Sequence, residues 1–260
     1  MLGEKAIERI EAAYRAQGNR VFQIKMDEGI FVVKGQRPSK DPLRYWIIRF
    51  FAKMIRNVVL RPTPQQGGDA TQRIEVKRLD ELRRANVRVP ECVHVGADYI
   101  VLKYLSGQML DSRLHGPGQD ASQVFELGLK AIIDVHRKNQ SLGQPFARNM
   151  MIDGERIHFI DFEEDLVAVM TLEQQQARDL ILFMLSCVWH REDLWPQWHM
   201  IWHKEFKALD SSVKEEVLSA IKTIKPFRFL PGGRKVLGRD LSAIKLCAIF
   251  LDRYGLGEMG

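Results

Sequence analysis

Cysteine is scarce in this chain. The three residues Cys92, Cys187 and Cys247 include no C-x-x-C pair, which excludes a disulfide framework and a zinc ribbon and fits a reducing compartment. No uncharged apolar run of about 18 residues occurs, so no segment is expected to span a bilayer. The opening MLGEKAIERIEAAYR contains acids and no apolar stretch of signal-peptide type, and a cytoplasmic location is expected. Ser106 and Ser141 stand in no nucleophile elbow, so nothing points to a hydrolase. There is no internal repeat and no low-complexity segment.

Acidic residues are missing from one place in particular. Between Lys34 and Arg61 eight basic residues face Asp41 alone, an excess of seven in a chain whose whole net charge is +6. Within it, Leu43–Val59 has helical periodicity. Ile47, Phe51, Met54, Ile55 and Val58 share one face, while Arg49, Lys53 and Arg56 share the other, with Trp46 at the border. Two readings stand. Either residues 43–59 dock on an anionic membrane surface, the inner face of the cytoplasmic membrane, or the helix packs its apolar face on the small strand-rich lobe. Nucleic acid is not expected as a partner, because the charges are interleaved with aliphatic side chains rather than with aromatics on a strand platform.

The rest of the chain divides by pattern. Residues 4–16 read as an amphipathic helix closed by Gly18-Asn19. The runs 21–24 and 30–34 form a hairpin around Asp27-Glu28-Gly29. A helix capped by Asp69 or Thr71 continues to about Arg84. Residues 87–95 and 99–105 are two further strands, the second broken at Ser106-Gly107. Beyond these, 121–138 is helical, 148–161 is a hairpin around Asp153-Gly154, and helices follow at 172–190, 195–208, 211–223 and 240–253. A small strand-rich first part and a larger helical second part imply an α+β protein with two lobes, residues 1–104 and 105–260.

The stretch AIIDVHRKNQSLGQPFARNMMIDGERIHFIDFEED, Ala131–Asp165, resembles the catalytic core of kinase-like phosphotransferases, as does the order of elements over about residues 20–190. The nearest resemblance is to RIO-like and lipopolysaccharide-core (Kdo or heptose) kinases and to a bacterial branch of kinase-like phosphotransferases. The resemblance implies a two-lobed protein-kinase-like fold that binds ATP and Mg²⁺ between the lobes. On it, Lys34 holds phosphate, Glu75 pairs with Lys34, and Asn149 and Asp161 bind the metal. Asp161 and Gln144 occupy catalytic positions, Tyr99–Gly107 runs beside the base, and Asp179 in Arg178-Asp179-Leu180, at the start of a helix, pins the catalytic loop. The Asn149-to-Asp161 spacing suits two oxygen ligands brought side by side by a hairpin.

Three departures bear on chemistry. Gln144 stands where such families place an Asp, and an amide can position a hydroxyl but cannot take its proton. No G-x-G-x-x-G occurs, and the 21–34 hairpin holds only Gly29 to wrap phosphate with backbone amides. Glu163 replaces the glycine after Asp161-Phe162, opening an acidic run with Glu164 and Asp165. That run is either a second set of metal ligands or, the favoured reading, a solvated turn. The expected function is ATP-dependent phosphotransfer to a hydroxyl, with a lipopolysaccharide-core or other membrane-associated acceptor. The alternative is a pseudokinase, a nucleotide-binding or regulatory module without transfer. His199 and His203, at i, i+4 among Trp195, Trp198 and Trp202, have zinc-compatible spacing but no third ligand, so packing is the favoured role.

Overall fold

Alternation along one strand decides which residues meet the helices and which meet the cleft. The computed structural model describes residues 2–36, 57–61, 67–116, 120–189 and 191–253. Its first part is a helix α1 (Glu4–Ala16), a hairpin β1 (Val21–Met26) and β2 (Gly29–Gly35), a long helix α2 (Gly68–Arg84), and strands β3 (Cys92–Val95) and β4 (Tyr99–Lys103). The four strands form an antiparallel sheet in the order β1-β2-β4-β3. On β2, Phe31 and Val33 join Tyr99, Val101 and the α1 residues Ala6 and Ile10 in a small core. Val32 and Lys34 occupy the opposite face, paired in register with Leu102 and Ile100. Because successive side chains of a strand point to opposite faces, Lys34 is delivered to the α2 side of the sheet.

Helix α2 meets that face with Thr71, Gln72, Glu75, Leu79 and Leu82. Leu79 and Leu82 supply the apolar contact, and Glu75 lies one turn before Leu79 on the same stripe. The helix starts at Gly68, two residues earlier than a cap at Asp69 predicts. Gly67, at φ 72°, is its N-cap, while Asp69 and Thr71 lie inside the first turn and the N-cap makes no side-chain hydrogen bond.

The second part opens with β5 (Gln108–Met109), α3 (Leu110–His115) and α4 (Ala121–His136). Gly107 turns the chain at φ 121°. A Cβ there would stand 2.5 Å from the Ile152 carbonyl oxygen, so only glycine lets the connection lie against the next hairpin. That hairpin, β6 (Met150–Asp153) and β7 (Arg156–Phe159), joins β5 in a three-stranded sheet in the order β5-β6-β7. Helices α5 (Leu172–Cys187), α6 (Trp195–Lys207), α7 (Ser211–Ile224) and α8 (Arg234–Arg253, interrupted at Gly238) complete it. The protein is thus α+β, with a small strand-rich N-terminal region and a helical C-terminal part. One large core runs from Leu79, Leu82 and Ile100 into the helices.

Two expectations change here. The segment β5–α3 was not foreseen, its strand being only two residues long. Most of the basic amphipathic stretch, residues 43–56, lies outside the described residues. Its described end is a 3-10 turn, Val58–Leu60, docked on the C-terminal helices rather than on the sheet. Val59 is buried, and Val58, expected on the lipid-facing side, packs against the large core. Arg178 of α5 donates to the carbonyls of Val59 and Arg61 at 2.8 and 3.0 Å, and Asn57 donates to Ser219 Oγ at 2.9 Å.

Candidate active site

The Lys34 ammonium is surrounded. It lies 2.7 Å from Glu75 Oε1, 2.7 Å from Asp161 Oδ1 and 3.0 Å from Glu163 Oε1. Lys34 and Glu75 are almost wholly buried, at 8% and 3% exposure. Burial opposes the charge on Lys34, but attraction to Glu75, Asp161 and Glu163 outweighs it and raises the pKa above its usual 10.5. The ammonium therefore stays protonated. The Glu75 carboxyl is raised above the usual 4.5 by burial, against the pull of Lys34.

Asp161 reaches this position through the β6–β7 hairpin. Met150 pairs with Phe159, and the ladder continues as Ile160 N–H donates to the Asn149 carbonyl at 3.0 Å. Asn149 and the Ile160–Asp161 turn are therefore adjacent. Asp161 adopts φ 71°. Aspartate tolerates this left-handed backbone better than most residues, yet it costs free energy. The Asn149 amide nitrogen donates to the Gln144 carbonyl at 3.1 Å, leaving its Oδ1 as the atom to offer a ligand.

A cleft of about 570 Å³ opens beside this cluster, between the four-stranded sheet and the β5–β7 layer. That volume is in the range of small-ligand sites. Val21 and Val32 line it from the sheet, Met109 and Met151 from the other side, and the Lys103–Gly107 connection closes one end. Arg20, Lys34, Asn149 and Asp161 stand along it. An apolar slot with a charged end can take a flat apolar ring and an anionic tail.

The loop between α4 and β6 is held from α5. The Asp179 carboxylate, fully buried, accepts the backbone N–H groups of Leu142 and Gly143, each at 2.7 Å, and contacts His136 Nε2 at 3.1 Å. Ser141 Oγ donates to Gln175 at 2.7 Å, and Arg78 of α2 donates to the Ser141 carbonyl at 2.8 Å. Contrary to the expectation from the sequence, Asp179 does not stand at the start of a helix. It lies midway along α5, which the Thr171 capping box starts eight residues earlier.

One further sequence expectation needs correction, and Gln144 and Gly29 find their places. Glu163 and Glu164 do not form a solvated turn: their side chains are 9% and 7% exposed. Glu163 pairs with Arg20 at 2.6 Å as well as with Lys34, and Glu164 pairs with Arg178 at 3.5 Å. Gln144 does not project into the cleft. Its amide nitrogen donates to the Glu164 carboxylate. The hairpin turn holding Gly29 is also remote from Lys34. Val21 pairs with Lys34 and Met26 with Gly29, at opposite ends of the same ladder, about 17 Å apart at 3.3 Å per residue.

Glu75, Asp161 and Glu163 offer oxygens within 4.8 Å of one another. The Lys34 ammonium already lies among them, so a cation held by all three would have to displace it. A divalent ion is better suited to Asp161, whose side chain is 35% exposed, with Asn149 lining the same cleft. His199 and His203 lie with ring centroids 5.8 Å apart and planes tilted by 35°, on the helix whose Trp195, Trp198 and Trp202 are buried. Arg20 was missed from the sequence, where a single arginine before a strand carries no signal. Among the described residues no helix is long and apolar enough to cross a membrane. A scan against protein-family models and a search of curated proteins return no match.

Proposed function

We propose that the chain is a kinase-like phosphotransferase that takes ATP with Mg²⁺ in this cleft and transfers phosphate to a hydroxyl acceptor. The observation that carries the reading is the double contact of Lys34. One buried ammonium is held by a helix carboxylate, Glu75, and by the hairpin-end carboxylate Asp161, at the charged end of an apolar cleft. Glu75 and Glu163 keep the ammonium in place, and Asp161 is the one of its three partners with substantial exposure, on the side open to a ligand. Asn149 and Asp161 would hold Mg²⁺, which when bound neutralises charge on the phosphates. The apolar slot between Val32 and Met151 suits the base, and Asp179 fixes the loop that would face the acceptor. The resemblance to lipopolysaccharide-core kinases supports a sugar hydroxyl on a membrane-associated acceptor.

Calorimetric titration with ATP, with and without Mg²⁺, tests the first half. Binding that requires Mg²⁺ and weakens in Asp161→Asn is expected, and no binding at any Mg²⁺ concentration would end the proposal. The engagement of Gln144 by Glu164 favours a second reading, a pseudokinase that binds nucleotide and transfers nothing. Phosphate transfer from labelled ATP to any component of a membrane extract would rule that out.

A further inference from the structure

Lys34 has three N–H donors, and three carboxylates lie within 3.0 Å of it. Two of those donors are spent on hydrogen bonds to Glu75 and Asp161, and the third lies against Glu163, so at most one is left for a phosphate oxygen. Lys103, the other lysine on the cleft, lies at the connection end and pairs with Glu91 at 2.7 Å. The hairpin turn with its one glycine is at the far end of the β1–β2 ladder. Among the described residues, a phosphate chain entering beside Asp161 therefore meets at most one lysine donor and gains from a second cation.

Arg20 is placed to supply it. It stands directly before β1, and its carbonyl accepts the Gly35 N–H at 2.7 Å, which anchors it at the Lys34 end of the ladder. Its side chain lines the cleft and is 30% exposed. Its guanidinium contact with the described residues is one hydrogen bond, Nη2 to Glu163 Oε1. Five N–H donors in a planar fork match two phosphate oxygens at once. Glu163 Oε1 is shared between Arg20 and Lys34, so its exchange for a phosphate oxygen would leave Glu163 still paired with a cation.

We infer that Arg20 grips the phosphate chain of the ligand, in place of a glycine-rich loop, and that Glu163 holds the guanidinium until that chain displaces it. The inference deepens the proposed function and rests on its reading of the cleft. It predicts opposite signs for two substitutions that break the same salt bridge. Arg20→Ala should weaken Mg²⁺–ATP binding tenfold or more and leave adenosine binding unchanged. Glu163→Gln should tighten Mg²⁺–ATP binding severalfold, because the competing carboxylate is gone. A purely structural bridge would make both substitutions weaken binding.

The test is calorimetry of the full chain with ATP, inorganic tripolyphosphate and adenosine, with circular dichroism to confirm folding. The tripolyphosphate arm shows whether the grip is on phosphate alone or needs the nucleoside. Because Glu163→Gln also frees Lys34, the double variant is decisive. If tightening disappears when Arg20→Ala is added, it acts through Arg20; if it persists, Lys34 is responsible and the inference falls. Equal ATP affinity in wild type and Arg20→Ala would overturn it while leaving the proposed function intact. Wild type that binds neither ATP nor tripolyphosphate would overturn the proposed function itself, and this inference with it. Should Arg20→Ala not fold, Arg20→Gln takes its place in the single and double variants, and unchanged or weaker binding in Glu163→Gln contradicts the exchange by itself.

Discussion

Lys34 Nζ and Asp161 Oδ1 lie 2.7 Å apart although 127 positions separate the residues. This contact joins the four-stranded sheet to the end of the β6–β7 hairpin and so fixes one wall of the cleft against the other. What the cluster does to stability and binding can be separated by substitution.

Lys34→Met keeps most of the side-chain volume and removes the charge. Glu75 is then buried without its cation, a loss expected to cost about 3–5 kcal/mol, read as a fall in melting temperature. The pH dependence has a definite sign. A carboxyl raised by burial contributes stability that is present at low pH and lost as pH rises through its folded value. Without Lys34 that behaviour strengthens, so the gap between variant and wild type should narrow from pH 8 to pH 5. A gap that widens on acidification would contradict the assignment. The wild type, whose Lys34 is raised, should for its part lose stability as pH climbs above 10.5.

Asp161→Asn preserves the shape and tolerates the left-handed backbone at φ 71°. It removes the charge that Lys34 and a metal would share. Mg²⁺–ATP affinity should fall at least about tenfold, or ~1.4 kcal/mol, with the Mg²⁺ dependence flattened. A loss of affinity equal with and without Mg²⁺ would show that Asp161 is not a metal ligand.

Gln144→Asp is the obvious attempt to restore a base, and the structure argues against success. The substitution replaces the donor to Glu164 by a second carboxylate, in a place where Glu164 is only 7% exposed. Stability should drop by about 1–3 kcal/mol, with no gain in transfer. Adding Glu164→Gln returns a donor to the pair and should recover the stability. Phosphate-transfer assays and thermal melts on the single and double variants check both statements.

Asp179→Ala would leave the Leu142 and Gly143 N–H groups without their acceptor. Each buried, unsatisfied donor costs about 1–3 kcal/mol. Faster hydrogen exchange confined to residues 140–146 is expected. Uniform acceleration through α4 and α5 would mean that Asp179 holds the whole helical part and not the loop.

Much of this arrangement is legible in the sequence, and the reason is local. Alternation along 30–34 places Lys34 on a strand, helical spacing from 70 to 84 puts Glu75 on the stripe of Leu79 and Leu82, and the turn at Asp153-Gly154 closes a hairpin that returns Asp161 to Asn149. Periods of 2 and 3.6 residues fix which face each side chain takes within its own element, so the α+β division follows from patterns a few residues long, while the meeting of Lys34, Glu75 and Asp161 is an expectation from the resemblance alone. Tertiary structure alone decides what each charged group meets. Glu163 and Glu164 read as a solvated turn until folding brings Arg20 from position 20 and Arg178 from mid-helix to neutralise them. Gln144 reads as facing an acceptor until Glu164 captures its amide. Residues 57–61 are adjacent in sequence to the basic stretch, yet α5 and α7 hold them through Arg178 and Ser219. A charged side chain shows no periodicity that names its partner. Its burial depends on a counter-ion whose position only the assembled fold sets.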